Sequence, residues 1–139
     1  MKNLFIVATA CLLLVSCSRK FEPVNYGKDA CAHCRMTIMD ERYGAEMVDA
    51  KGKVYKFDDI TCLRQFISTL EPSPNDLLFV EDYHNKTDGM LDAKTAKFLK
   101  HDFFRSPMNG NYAAFSSEED GAPIADSLGI SFTSWENIQ

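Results

Sequence analysis

The chain has no second cysteine pair, no apolar run long enough to cross a bilayer and no surplus of positive charge, and each lack removes a class of protein. The C-x-x-C pattern occurs once, at Cys31 and Cys34. A zinc knuckle needs a further close pair of Cys or His ligands, and only Cys62, His84 and His101 are left to supply one. The most apolar stretch, Leu4 to Val15, falls well short of the roughly 20 residues that span a membrane. With 15 Lys and Arg against 20 Asp and Glu, the formal net charge is −5. That balance argues against a nucleic-acid partner, because phosphates call for a basic surface.

What stands at the N-terminus sets the expected compartment. Lys2 gives a charged head to the short apolar stretch, and this arrangement reads as an export signal, not a membrane span. Leu14-Val15-Ser16-Cys17 resembles the bacterial lipobox, in which cleavage leaves Cys17 first in the chain and bearing the lipid. The expectation is a signal peptide over 1–16, a lipidated tether over 17–28 broken by Pro23 and Gly27, and a folded domain over 29–139. The domain would be held at a membrane, the outer membrane favoured, and face the periplasm. Removal of the signal leaves 123 of the 139 residues, a length for one compact domain. Cys11 departs with the signal and Cys17 is acylated, so the thiols that remain are Cys31, Cys34 and Cys62. An odd number makes a poor disulfide framework in an oxidising compartment and suits thiols kept for a metal.

Along the domain, Ala45 to Ala50 and Val54 to Phe57 are two short strand-like runs split by Lys51-Gly52-Lys53, a hairpin signal. Asp58 and Asp59 offer a helix N-cap, and Leu63, Phe66, Ile67 and Leu70 repeat at helical spacing. Pro72 and Pro74 end that helix, and Asp76 to Tyr83 reads as a returning strand. The second half repeats the order: strands at Lys97 to Phe104 and Asn111 to Phe115, a helix opened by a Ser116 to Glu119 capping box, and a last strand at Ile130 to Trp135. Pro123 lies in that second helix and implies a late start or a kink. The fold class expected is α+β, with two similar strand-strand-helix-strand units, near 29–84 and 90–139, packed as one compact domain.

The candidate chemistry sits in Cys31-Ala32-His33-Cys34-Arg35-Met36, where two thiols and a thioether crowd into six residues. Sulfur donors suit a soft ion such as Cu(I), whereas hard cations prefer oxygen, and zinc has little use for methionine. If Cys34 to Ile38 is extended, Cys34 and Met36 share a face and make half a site. Another donor must come from afar, and Met108, in the polar turn Ser106-Pro107-Met108-Asn109-Gly110, is the candidate, although methionine also fills gaps. Cys31 is a less committed ligand. His33 reads as a solvated loop residue, His84 and His101 as polar strand-edge residues, and Cys62 as a small buried hydrophobe. Met39, Met47 and Met90 have ordinary packing roles open to them. Three readings of the C-x-x-C pair compete, namely metal clip, redox dithiol and structural disulfide. Redox pairs of the thioredoxin kind precede a helix, and this one precedes the strand-like Met36-Thr37-Ile38-Met39. The leading expectation is an exported Cu(I)-binding protein that carries out no bond-making step, with an exported dithiol oxidoreductase and a zinc-stabilised interaction module as rivals.

The layout resembles the NosL family of lipoproteins: a lipobox cysteine, a short linker, Asp29-x-Cys31-x-x-Cys34-x-Met36, Asp58-Asp59 before a helix with Cys62, and Ser106-Pro107-Met108 ahead of Tyr112-Ala113-Ala114-Phe115. The resemblance implies a copper chaperone holding Cu(I) through Cys34, Met36 and Met108, with apo-nitrous oxide reductase or its maturation complex as partner. Two positions depart from the family pattern. Arg35 and Asn109 stand where the family commonly has glycine. Arg35 sets a cation beside the site, which would help Cys34 ionise or alter docking to a client.

Overall fold

The structure, a computed structural model, describes residues 20–71 and 73–139. Residues 1–16, read as an export signal, and Cys17, the expected lipid attachment point, lie outside the described residues. The first unit opens with β1 (Ala45–Val48) and β2 (Val54–Phe57), antiparallel in the register Ala45 to Phe57 and Val48 to Val54. Their turn forms because Asp49 Oδ1 accepts from the N–H groups of Lys51 and Lys53 at 2.8 and 2.9 Å. Gly52 supplies the φ of +87° that the turn requires. Helix α1 (Ile60–Ser68) follows at once, capped by Asp59, whose side chain accepts from the Thr61 N–H. Strand β3 (Leu77–Val80) returns along the other edge of β1, and the two-residue β4 (Leu91–Asp92) pairs with β3. The antiparallel sheet therefore runs β2-β1-β3-β4. β1, at its centre, is wholly buried.

In the second unit, β5 (Lys97–Lys100) and β6 (Tyr112–Phe115) make a separate hairpin, followed by α2 (Glu118–Leu128). Strand alternation explains how the halves fuse. Phe98, Tyr112 and Ala114 point into the main core with Phe57, Leu63, Met47 and Val80, whereas Leu99, Ala113 and Phe115 point into a second cluster with Tyr43, Phe104 and Ala125. A hairpin buried on both faces is shared by both cores, so the α+β chain packs as one body. Burying a side chain such as Phe98 contributes about 1.5–3 kcal/mol. The Tyr43 hydroxyl, donating to the Phe104 carbonyl, and the Tyr83 N–H, donating to the Ala114 carbonyl at 2.9 Å, add polar stitches between the halves.

Several sequence expectations are corrected. The second helix is capped by Ser117, which bonds Asp120, one residue later than the Ser116 to Glu119 box; Ser116 also donates to Asp120. Pro123 neither delays the start nor ends the helix, which runs through it from Glu118. The carbonyl it leaves without a helical donor belongs to Glu119, an exposed residue that water can serve. No full strand forms at Ile130 to Trp135. Thr133 makes a single two-way bridge to Phe98, after which buried Trp135 enters a 3-10 turn at Trp135–Asn137 beside the Phe98 ring. Part of the stretch read as tether is bound to the fold. Phe21 sets its ring edge-on to Phe79, Val24 joins the core, and Glu22 N–H donates to Glu46 at 2.8 Å. Among the described residues no helix is long and apolar enough to cross a membrane.

Candidate metal centre

The cysteine segment is a tight loop, not a strand. Ala30 and Thr37 bridge its ends, Cys31 N–H donates to the Met36 carbonyl at 2.8 Å, and Arg35 N–H donates back to the Cys31 carbonyl at 3.1 Å. Residues 32–34 turn, and Arg35 takes a left-handed φ of +68°. The expected alternation that would put Cys34 and Met36 on one face of an extended chain is therefore absent. Ala32 N–H donates to the Lys56 carbonyl at 2.8 Å, and Lys56 Nζ reaches Asp29 at 2.8 Å, which fixes the loop against the end of β2.

That position matters because β2 runs through Phe57 into Asp58-Asp59 and then α1. Asp58 stands just before the N-cap of α1 and Cys62 in its first turn, so this junction brings both to the cysteine loop. The three thiol sulfurs of Cys31, Cys34 and Cys62 and a carboxylate oxygen of Asp58 all fall within 4.8 Å of one another. Cys34 Sγ donates to Asp58 Oδ1 at 3.4 Å. Cys31, Cys62 and Asp58 are buried while Cys34 is half-buried, so Cys34 is the mouth of the cluster.

The thiols divide their protons unequally. The Cys62 S–H donating to Cys31, assisted by the backbone N–H groups of Asp58, Cys34 and His33, outweighs burial and lowers the Cys31 thiol to about 6. Cys62, as that donor and in the same dry setting, is held far above the ordinary thiol range. Burial, then the neighbouring Cys31 and Asp58, raises Cys34 to about 11, although the Met36 N–H pulls the other way. Of the two roles open to Arg35, easing ionisation of Cys34 or altering docking to a client, the first is not seen, since the balance at Cys34 favours the thiol. Cys31 is thus the thiol that gives up its proton most readily and Cys34 and Cys62 hold theirs, so a metal taking all three must displace protons.

The methionines lie outside this buried set. Met36 is 54% and Met108 37% exposed. Met108 rides on a turn locked by its own polar groups: Ser106 N–H donates to Asn111 Oδ1 at 3.1 Å, Asn111 N–H donates to Ser106 Oγ at 2.8 Å, and Asn109 N–H donates to the Ser106 carbonyl at 2.9 Å. The Met108 N–H donates to Asp59 Oδ2 at 3.0 Å. The Asp58-Asp59 dipeptide therefore touches both donor segments, Cys34 through its first residue and the Met108 turn through its second. His33 is exposed, His84 packs on Tyr83 and Phe115, and the Nδ1 of His101 is taken by the Phe103 N–H at 3.0 Å.

Sequence reasoning missed Cys62 and Asp58 as members of the site. Cys62 is buried as expected, but it faces the two other thiols. The available signal was the surplus acid: one N-cap serves α1, and a second adjacent aspartate four residues before a cysteine had no assigned task. The two departures from the family pattern also find their setting, since Arg35 and Asn109 both occupy left-handed backbone, at φ of +68° and +58°.

The model of the NosL family matches residues 24–139. The crystal structure of the copper chaperone NosL from Shewanella denitrificans shares the fold, with a TM-score of 0.72 at 18% sequence identity over 87% of this chain and 96% of that one. No curated protein matches the chain.

Proposed function

This chain belongs to the NosL family, and from that premise we propose that it is a membrane-tethered Cu(I) metallochaperone that supplies copper for maturation of nitrous oxide reductase. The observation that carries the reading is the gathering of three thiols and a carboxylate within 4.8 Å, with two exposed thioethers on the adjoining segments. Soft, polarisable donors hold the cuprous ion in preference to hard cations. The copper chaperone from Shewanella denitrificans, which has the same fold, supports copper as the cargo.

The arrangement suits transfer. Cys34 and Met36 at the mouth and Met108 on its turn meet the incoming ion first, and the buried sulfur of Cys31, the thiol most easily ionised, anchors it from within. Release runs the other way, with the exposed sulfurs giving way in turn to donors on the client. Of the five large apolar side chains exposed among the described residues, Met36 and Met108 lie on the two donor segments, and Met39 and Phe103 follow or precede them closely in sequence. Such a surface is the place for apo-nitrous oxide reductase or its maturation complex to dock. Cys17 would carry the lipid that keeps the domain at the outer membrane, facing the periplasm. No covalent bond of a substrate needs to change, so the protein acts as a carrier and not as an enzyme.

Cys34→Ser tests the reading directly. Competition with a chromogenic Cu(I) chelator should show binding abolished, and unchanged affinity would remove the proposal. The inner Cys3Asp donor set on its own also suits zinc, which favours the zinc-stabilised module as a second reading. Retention of full metal affinity in a Met36→Ala, Met108→Ala double variant would select it. A dithiol oxidoreductase fits less well, because the lowered thiol is the fully buried Cys31, and an attacking thiolate must reach its substrate.

A further inference from the structure

An N-cap aspartate needs one oxygen for its helix. Asp59 is fully buried and uses both: Oδ1 accepts from the Thr61 N–H at 2.7 Å, and Oδ2 accepts from the Met108 N–H at 3.0 Å, a residue 49 positions away. The second bond is the unusual one. It ties the donor turn of the C-terminal half to the first turn of the helix that delivers Cys62.

The fit between these two segments is close. A Cβ added to Gly110 would come 1.7 Å from Thr61 Oγ1 and 3.0 Å from Asp59 Oδ1. Only glycine lets the turn lie this near α1. Thr61 Oγ1 is itself buried without a hydrogen-bond partner, covered by the turn. Because the turn is internally locked by Ser106 and Asn111, holding its Met108 amide holds the whole unit.

We infer that Asp59 is a positioning residue: it sets the Met108 turn on the start of α1, so that the Met108 thioether is presented beside the thiol cluster, and Gly110 provides the room for that seat. The inference rests on the reading of Met108 as a copper donor. It explains why two acids stand together at this junction. Asp58 faces the thiols, and Asp59 fastens the segment that completes the donor set.

The test compares Cu(I) affinity by chelator competition in the full chain and in Asp59→Asn, Gly110→Ala, Met108→Ala and the two doubles with Met108→Ala. Asparagine still offers an oxygen to cap α1 but presents a donor where Oδ2 stood, so helix content and melting temperature serve as the folding control. Gly110→Ala displaces the same turn while leaving the Asp59 carboxylate chemically intact. The expected result is a loss of roughly 10–100-fold in each of Asp59→Asn and Gly110→Ala, equal to that of Met108→Ala, with no further loss in the doubles. Copper-edge X-ray absorption should show one fewer sulfur neighbour in all three, and the Met108 amide should lose protection from hydrogen exchange in metal-free Asp59→Asn. A weakened Met108→Ala beside unaffected Asp59→Asn and Gly110→Ala overturns the inference and leaves the donor reading standing, as do losses that add in the doubles. An unaffected Met108→Ala overturns the donor reading and the inference with it.

Discussion

Cys31, in the loop closed against β2, and Glu46, in the middle of β1, are both sealed from solvent, yet the Cys31 thiol is lowered to about 6 while the Glu46 carboxyl is pushed up to about 7. Burial opposes ionisation at both positions. What differs is the supply of donors. Cys31 receives the Cys62 S–H and three backbone N–H groups. Glu46 receives one N–H, from Glu22, and its Oε2 has no partner. Glu22 and Glu81 raise it further, and Lys56, the one cation that helps, is committed to Asp29 and the Pro23 carbonyl. A region furnished with donors is built to hold negative charge; a region without them merely encloses a carboxyl. That contrast separates a binding site from a buried polar residue within the same small fold.

The contrast is broken most severely by Cys62→Ala. Without its first donor, Cys31 should titrate up toward the ordinary thiol range, visible as loss of thiolate absorbance near neutral pH in the metal-free protein. Cu(I) affinity should fall on the order of 100-fold, the upper end for loss of a supporting partner. Survival of the thiolate signal in this variant would contradict the donor argument. The thiols also bear on stability. Cys31 titrates lower in the folded state than in the unfolded chain, so its contribution is complete above about 9 and is lost as pH falls through about 6. Cys34 titrates higher when folded, so its contribution is lost as pH rises from about 9 through about 11. As far as the thiols decide, metal-free protein in reductant should be most stable near pH 9.

A smaller effect is expected at the other pole of the comparison. Glu46 titrates at about 7 in the fold against 4.5 in the free chain, so its stabilising contribution is complete below 4.5 and is lost as pH rises through about 7. Glu46→Gln removes the titration. Urea unfolding should show a gain of about 1–3 kcal/mol at pH 8 and little change at pH 4.5. Copper affinity should be untouched, because the carboxyl belongs to the enclosed region and not to the donor-rich one. A gain of equal size at both pH values would mean that packing, not charge, limits this position.

The first unit was legible because each element announced itself locally. Gly52 marks the hairpin, Asp59 caps α1, and Leu63, Phe66 and Ile67 sit at helical spacing. Two-residue β4 is too short to leave a pattern, and the strand expected at Ile130 to Trp135 fails because Trp135 leaves the strand path for the core. The thiol pair was legible as a candidate metal site, but the third thiol that the fold sets beside it was not. Cys62 looks like any small apolar residue on a helix until the fold brings residue 31 against it. Likewise the shared use of Asp59 by α1 and a turn 49 residues on is a tertiary fact with no local signature. The extended reading of Cys34 to Ile38 failed for a local reason: arginine gives no hint of the left-handed backbone it adopts at position 35.

That backbone yields the smallest of the expected effects and the finest comparison, between the two loops that bear donors. Arg35 and Asn109 are both left-handed, at φ of +68° and +58°. A side chain such as arginine loses about 1–2 kcal/mol in this region, whereas asparagine tolerates it. Glycine removes the strain but gives up roughly 0.5–1 kcal/mol through its freer unfolded chain. Arg35→Gly should therefore raise the melting temperature by about 2–4 °C, and Asn109→Gly should leave it nearly unchanged. Neither should alter Cu(I) affinity, since Arg35 is not among the groups that set the thiols. If Arg35→Gly instead lowers stability, the arginine side chain offsets its own backbone strain through contacts on the loop surface. A slower transfer of copper to a client with affinity intact would place those contacts at the docking face.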